Sequence, residues 1–409
     1  MASFDLGRGP PGDRSFRHPG GTREASRPGV STPRRQRRRC RGGFRPPHCP
    51  NPDCRFHLPF PDWRPRHRGT YTRRSDGARF PRFSCHACGR TFSSRAFSAT
   101  YGLRYRPLLR RIASLAVTGA ALRPIARELG IAHATVARHL ARAGRHCLLF
   151  HWRLLEGARI HEPLVVDGFE TFEYSQYFPF HINFAVGADS WFQYFFTDSP
   201  LRRKGRMTAA QRGRRAELEA SLGRPDPKAV ECGMADLLEP LLVRVAGPTL
   251  VLHSDDHPAY PRALARLRRR LERLPAIDHR TTSSTERRTR SNPLFPVNLN
   301  DLLHRHVSAN HRRETIAFSK RRQAALERAA VVGVWRNCIK RQRENGPAET
   351  CAMRVGLMAE PSSWSRILRR RCFPRHTELP ASWVEYYWRR VKTAIYGERQ
   401  ATHACRYAF

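Results

Sequence analysis

Two pairs of cysteines constrain the first hundred residues more than any other feature: Cys49 with Cys54 in CPNPDC, and Cys85 with Cys88 in CHAC. Thiolates paired in this way can place four sulfurs tetrahedrally about a zinc ion. Gly89 supplies a tight turn between the strand-like RFS and RTF that flank the second pair. The pattern predicts a zinc ribbon over residues 46–98. The four-residue gap in the first pair and the 30 residues between the pairs are wider than the commonest spacing. They predict an irregular first knuckle and leave His48 and His57 open as substitute ligands. The other seven cysteines (Cys40, Cys147, Cys232, Cys338, Cys351, Cys372 and Cys405) show no pairing and read as free thiols, as in a reducing compartment.

The next block, LRPIARELGIAHATVARHL from Leu122 to Leu140, has helix-turn-helix spacing. Ile125 and Leu129 share one face of a first helix, small Ala126 permits close approach, and Gly130 supplies the turn. Ile131, Val136 and Leu140 then bury a second helix against the first. Its outer face presents His133, Thr135, Arg138 and Arg142 to base edges or phosphates. The domain is expected over residues 104–158.

Charge names the partner. With 75 Lys and Arg against 34 Asp and Glu, the chain carries a formal +41 and seeks a polyanion, most commonly nucleic acid. Only five of the 75 cations are lysines, so part of the excess reflects codon usage as much as phosphate recognition. Residues 1–45 are rich in Gly, Pro, Ser and Arg and read as a disordered basic arm. No run of 18 uncharged apolar residues occurs, and residues 1–23 lack an apolar leader segment. A soluble, unexported protein is therefore expected, cytoplasmic and associated with the nucleoid.

From Pro163 onward the pattern becomes strand-like, with LVVDGF, FHINFAVGAD and WFQYFFTD, then a charged insertion over residues 202–224. A helical stretch (residues 235–245), the strand TLVLHSD, a basic helix (residues 260–274), the strand-like AIDHRTT and a helical region (residues 298–340) follow, an α/β alternation. In so basic a chain the acids are informative. Asp167 and Asp255 each end an apolar strand, where α/β sheets display their sites. Two such carboxylates on neighbouring strands can share divalent ions that stabilise both oxygens of an in-line phosphoryl displacement.

A zinc ribbon, a helix-turn-helix, LVVDGFET, LHSDDHPAY and HRRETIAFSKRRQ together resemble a bacterial insertion-sequence transposase with an RNase H-like catalytic domain. The resemblance covers residues 45–340. It implies an α/β fold, a mixed RNase H-like sheet with helices over residues 160–345, behind the two front modules and ahead of a basic extension at 346–409. It also implies Mg²⁺ held by three carboxylates, double-stranded DNA as element ends and target, and a homo-oligomer assembled on that DNA, with no membrane partner. Asp167 takes the first acidic position and Asp255 the second, with Asp256 as its neighbouring rival. Where the pattern expects a third acid, in VNLNDLLHR, this chain has Asn298, and Asp301 one turn later takes the role. Glu314 and Glu327 are the next choices and Glu286 a weaker one; an ordinary exposed helix acid is the commoner role for Glu327. Arg305 is placed to hold a phosphate or the Asp301 carboxylate.

Three basic segments are candidates to line a DNA channel: Arg202 to Arg206, Arg266 to Leu274 and Lys320 to Arg322, the last two favoured because they flank the acids. In the tail, WVEYYWRRVKTAIY alternates aromatics with cations, as a strand packed on the core or as a base-stacking platform. The rival functions are a DNA-binding regulator or inactive transposase remnant without catalysis, and a structure-specific nuclease that cuts without joining.

Overall fold

The computed structural model describes residues 43–397 except 75 and 313, so the predicted arm, apart from its last three residues, lies outside the described residues, as do Cys40 and Cys405. The chain enters through a three-stranded antiparallel sheet, β1 (Arg66–Thr72), β2 (Arg79–Ser84) and β3 (Thr91–Ser93), with β2 in the middle. Phe83, Phe92, Trp63 and three of the paired cysteines form its small core.

Helices α1 (Pro107–Ala116), α2 (Leu122–Glu128) and α3 (His133–Leu154) follow. Ile125, Ala126, Val136 and Leu140 are buried together with Leu108, Ile112 and Ala116, as the apolar spacing requires. Gly130 makes the turn at φ +61°, a left-handed conformation that glycine adopts without strain. α3 is 22 residues long, about twice what a helix-turn-helix needs. Its second half, from Ala143 to Trp152, is buried in the main core, where Gly144 leaves no room for a β-carbon beside the backbone of Glu327. The helix that carries the DNA-reading candidates thus continues into the centre of the larger fold.

That centre is a mixed five-stranded sheet of β4 (Leu164–Phe172), β5 (Pro179–Gly187), β6 (Gln193–Pro200), β7 (Thr249–Asp255) and β8 (Ala276–Thr282), in the order β6-β5-β4-β7-β8. The first three strands form an antiparallel meander, and β7 and β8 run parallel to β4. This mixed α/β arrangement is compatible with an RNase H-like fold. Between β6 and β7 lie α4 (Ala209–Leu222) and α5 (Ala229–Leu242), and α6 (Ala259–Arg270) connects β7 to β8. The stretch read as a charged insertion is therefore partly helical: Thr208 and Gln211 close a capping box at the start of α4.

Helices α7 (Phe295–Val307) and α8 (Arg322–Cys338) cover the sheet, followed by the short α9 (Cys351–Arg354), α10 (Trp364–Ile367) and α11 (Ala381–Tyr387). The aromatic tail is helical at α11, not a strand. Trp383, Tyr386 and Tyr387 fall at helical i, i+3 and i+4 spacing and are buried, with Trp383 packed at tilted and edge-on angles against Phe195, Phe196 and Trp152. They are unavailable to unpaired bases. The described cysteines beyond the two pairs are free thiols, and all but Cys232 are buried. No helix of the described residues is long and apolar enough to cross a membrane.

Candidate active site and metal centre

Register places the first two acids. β4 and β7 pair in parallel at Leu164 with Leu252 and Val165 with His253, and the same offset carried two residues further sets Asp255 level with Asp167. In a parallel pair, level residues point to the same face. Asp167 is also the register partner of Phe184 on β5, whose ring lies 4.6 Å from that of His304 on α7. The acids therefore face α7, which delivers Asp301 one turn before His304. α7 begins at Phe295 with Pro296 in its first turn, so Asp301 sits mid-helix and does not open it.

The cluster is electrostatically strained. Burial pushes the Asp167 carboxyl up, the Gly168 N–H at 2.6 Å pulls it down, and the charge of Asp255 raises it again. Asp301 is driven well above the usual carboxylate range, by burial first and by Asp167 next, with Arg305 and Arg288 opposing. Its Oδ1 is buried without a hydrogen-bond partner. Tyr260 joins the three acids: it is buried, donates to Asp167 Oδ1 across 3.4 Å, and is held protonated by burial and then by Asp167, Asp255 and Asp301. Three carboxylates with too little neutralising charge and an orphaned oxygen are the donor chemistry that suits a hard divalent cation.

The other acids lie elsewhere. Asp256, Glu286 and Glu314 are exposed, and Asn298 sits on α7 one turn before Asp301. Glu327 is not exposed, and its partners are not those of the three acids. It is 3% accessible on α8, ion-paired with Arg389 at 3.0 Å and hydrogen-bonded by Gln323 at 3.3 Å.

The basic segments are reordered. Arg266 and Arg270 on α6 face Glu231, Asp236 and Glu239 of α5, and Arg322 bridges Asp198 at 3.2 Å, so these three arginines neutralise neighbours within the fold. The less favoured segment contributes Arg203 and Lys204 to a cleft with Glu170, Thr171, Arg305 and Arg312, at the far end of the strand that carries Asp167. Arg305 lies 4.2 Å over the Phe169 ring and donates to the carbonyl of Glu170 at 3.1 Å. Among the DNA-reading candidates, His133 and Arg138 are exposed, and Arg138 donates to Thr135 at 3.3 Å. Arg142 turns inward, donating to the carbonyls of Ala99, at 2.9 Å, and of Tyr101. Composition and spacing missed Arg288 and, as a partner of the acids, Tyr260. The adjacency of Tyr260 to Asp255 in SDDHPAY was the available signal.

At the other end, the four cysteines assemble. Cys49 Sγ lies 3.7 Å from Cys88 Sγ and Cys54 Sγ 3.7 Å from Cys85 Sγ, and all four sulfurs lie within 4.8 Å of one another. The wide first knuckle closes through backbone bonds from Cys49 N to Phe56 O at 2.8 Å and from His57 N to Cys54 O at 2.8 Å. Burial raises the thiols of Cys49 and Cys54, and acts to raise Cys85 as well, but there the N–H groups of Cys88 and Ala87 together with bonds from Trp63 and Cys54 lower the thiol to about 7. An all-sulfur donor set of this kind fits zinc. His48 and His57 are not part of it.

No family model and no curated protein matches this chain. Among solved structures, it is similar to a chain in the cryoEM structure of the simian T-cell lymphotropic virus intasome in complex with PP2A regulatory subunit B56 gamma. That likeness has 16% identity over 62% of this chain and 77% of the other, at a TM-score of 0.22. So loose a superposition defines neither fold nor activity. What the fold and sites define is a class: a mixed α/β protein whose sheet brings the half-buried Asp167 and Asp255 to the face covered by α7 and its Asp301, behind a four-cysteine cluster that could hold zinc.

Proposed function

We propose that this chain is a DNA transposase of the insertion-sequence type, cutting DNA strands and joining the freed ends to a target with Mg²⁺. The observation that carries the reading is the convergence of Asp167, Asp255 and Asp301, from β4, β7 and α7, around the buried Tyr260. These carboxylates would hold the divalent ions. When bound, such ions activate a water or a 3′-hydroxyl and stabilise the leaving oxygen of the phosphodiester. Tyr260 orients the Asp167 carboxylate, and Arg288 offsets the charge of Asp167 and Asp301.

The cationic cleft of Arg203, Lys204, Arg305 and Arg312 would guide the phosphate backbone toward the acids. Exposed His133 and Arg138 at the start of α3 would read the element ends, while the zinc module, residues 46–98, would support that contact. The RNase H-like domain at 160–345 would act in an oligomer on DNA.

The test uses purified full-length protein and duplexes copied from the sequences flanking its own gene. Asp167→Asn and Asp255→Asn should bind these duplexes like the wild type and lose Mg²⁺-dependent nicking and strand transfer. Wild-type protein that shifts the duplex and never nicks it would instead indicate a regulator or an inactive remnant. Cutting without joining of a pre-cleaved end would indicate a nuclease.

A further inference from the structure

The two histidines that the four-cysteine cluster leaves out meet a third from the far end of the chain. One ring nitrogen from each of His48, His57 and His376 lies within 4.8 Å of those of the other two. The ring centroids of His48 and His57 stand 4.2 Å and 4.6 Å from that of His376. His48 and His57 are 5% and 3% accessible, so two of the three imidazoles are enclosed by protein.

Their protons are assigned by their partners. A carbonyl oxygen only accepts hydrogen bonds, so a ring nitrogen that bonds to one must carry the hydrogen. His48 Nδ1 and His57 Nδ1 both donate to the carbonyl of Cys49, at 3.0 Å and 2.9 Å, and His376 Nε2 donates to the carbonyl of His57 at 2.7 Å. Each neutral imidazole is left with one lone pair: Nε2 of His48, Nε2 of His57 and Nδ1 of His376. Tying one ring nitrogen to a backbone carbonyl while the other stays free is how proteins prepare histidine as a metal ligand. The phenyl ring of Phe373 packs edge-on against His48 at 4.8 Å and His57 at 5.4 Å, limiting ring rotation on that side.

We propose that His48, His57 and His376 form a second metal site, distinct from the four cysteines, that takes a first-row divalent transition ion such as zinc. Three neutral nitrogen donors suit zinc and its neighbours and disfavour Mg²⁺ and Ca²⁺, which require oxygen. Zinc–nitrogen bonds of about 2.1 Å hold such nitrogens about 3.4 Å apart, so the three rings, each with one nitrogen already within 4.8 Å of the others, would reorient to bring their free nitrogens onto a shared ion with a fourth position left for solvent. The ion ties the C-terminal segment to the first knuckle, where Arg375 already bonds the carbonyl of Pro52. The sequence separation of 319 between His376 and His57 makes this a long-range clasp.

The test measures metal in the full-length protein by mass spectrometry, followed by cobalt substitution. Wild type should hold about two zinc ions per chain, and His376→Gln and His57→Gln about one. Cobalt at the cysteines gives an intense near-ultraviolet thiolate charge-transfer band. Cobalt at three histidines adds only weak visible bands, so wild type alone should show a second equivalent bound without growth of that band. A single equivalent showing the full thiolate band would overturn the proposal and leave the cysteine site standing. A single equivalent without the band would support the histidine site and overturn the cysteine one. Two equivalents retained in both histidine variants would also overturn it.

Discussion

The Tyr260 hydroxyl reaches Oδ1 of Asp167 across 3.4 Å from inside the core, tying the first turn of α6 to the centre of β4. Because burial and the surrounding acids hold the phenol protonated well above its ordinary range, it remains a donor throughout the working pH range. Tyr260→Phe removes a bond that favours the charged form of Asp167, so that carboxyl moves further up. The acid limb of the pH profile for Mg²⁺-dependent nicking should shift to higher pH, with a rate loss of about tenfold on the acid side and little on the alkaline side. A uniform loss across pH would show that Tyr260 only supports packing.

If Asp301 holds a metal ion as proposed, it trades stability for affinity. Its folded-state carboxyl lies well above the ordinary value, so between that value and the raised one the folded chain binds more protons than the unfolded chain. Stability of the metal-free protein therefore falls as pH rises through this window. Asp301→Asn should stabilise the protein in chelator at pH 7 by on the order of 1 kcal/mol. Mg²⁺ should raise the wild-type Tm, by the equivalent of about 2.7 kcal/mol at one hundred times its Kd, and leave the variant unmoved. Thermal melts with and without Mg²⁺ measure both effects, and a destabilised variant that still responds to Mg²⁺ would remove Asp301 from the site.

The cationic cleft at the far end of β4 yields a prediction about salt. If Arg203 and Lys204 contact phosphates, the double substitution to Ala should weaken binding to all duplexes alike. The slope of log affinity against log salt should become shallower by about 1.8, at about 0.9 per contact. Arg266→Ala should change the slope little, since Arg266 faces Glu231. Fluorescence anisotropy at several salt concentrations separates the two.

The two strand acids and the cysteine pairs were legible because each follows from local spacing, an apolar run that stops at Asp and two short Cys loops, but only Asp255 ends its strand: β4 continues past Asp167 to Phe172 because FETF goes on pairing with β5. The third acid was harder, because Asp301 reaches Asp167 only through the placement of α7 across β4 and β5, a long-range packing fact. Basic segments misled for the same reason. Charge runs in sequence do not show that Arg266 and Arg270 answer acids on α5, or that Arg322 answers Asp198. The tail's aromatics sit at helical spacing, yet their interleaved cations also fit an alternating strand, and only burial against β6 decides.

What sets Glu327 apart from Asp301 is its partner, since burial raises both carboxyls: Glu327 is ion-paired with Arg389, whereas Asp301 Oδ1 has no hydrogen-bond partner among the described residues. Arg389 and Arg145 pull the Glu327 carboxyl back down, and it packs where α8 meets Gly144 of α3. Glu327→Ala should cost about 3 kcal/mol in denaturant unfolding, through loss of a buried ion-paired group. Glu327→Gln, which keeps the shape and the bond to Gln323, should cost less than about 1 kcal/mol. Neither should alter nicking per folded molecule, and a catalytic defect in the folded Gln variant would put Glu327 in place of Asp301 as the third acid.

Arg138 and Arg142 lie one helical turn apart on α3 and were read together as DNA contacts, yet their surroundings assign them opposite roles. Arg138 is exposed and bonds only locally to Thr135, so Arg138→Ala should leave the melting temperature within about 1 °C, a surface change worth under about 0.5 kcal/mol. If it reads a base edge, the variant should lose about 1–3 kcal/mol of discrimination at one position of the bound duplex. Arg142 instead bonds the carbonyls of Ala99 and Tyr101 and holds the turn that enters α1 against α3. Arg142→Ala should leave those two carbonyls without this donor and destabilise the fold by about 2 kcal/mol, with sequence preference unchanged once the protein is folded. Parallel melts and a mismatch-series binding assay on the two variants test this division. Equal loss of sequence preference in both, at unchanged stability, would return Arg142 to the DNA face.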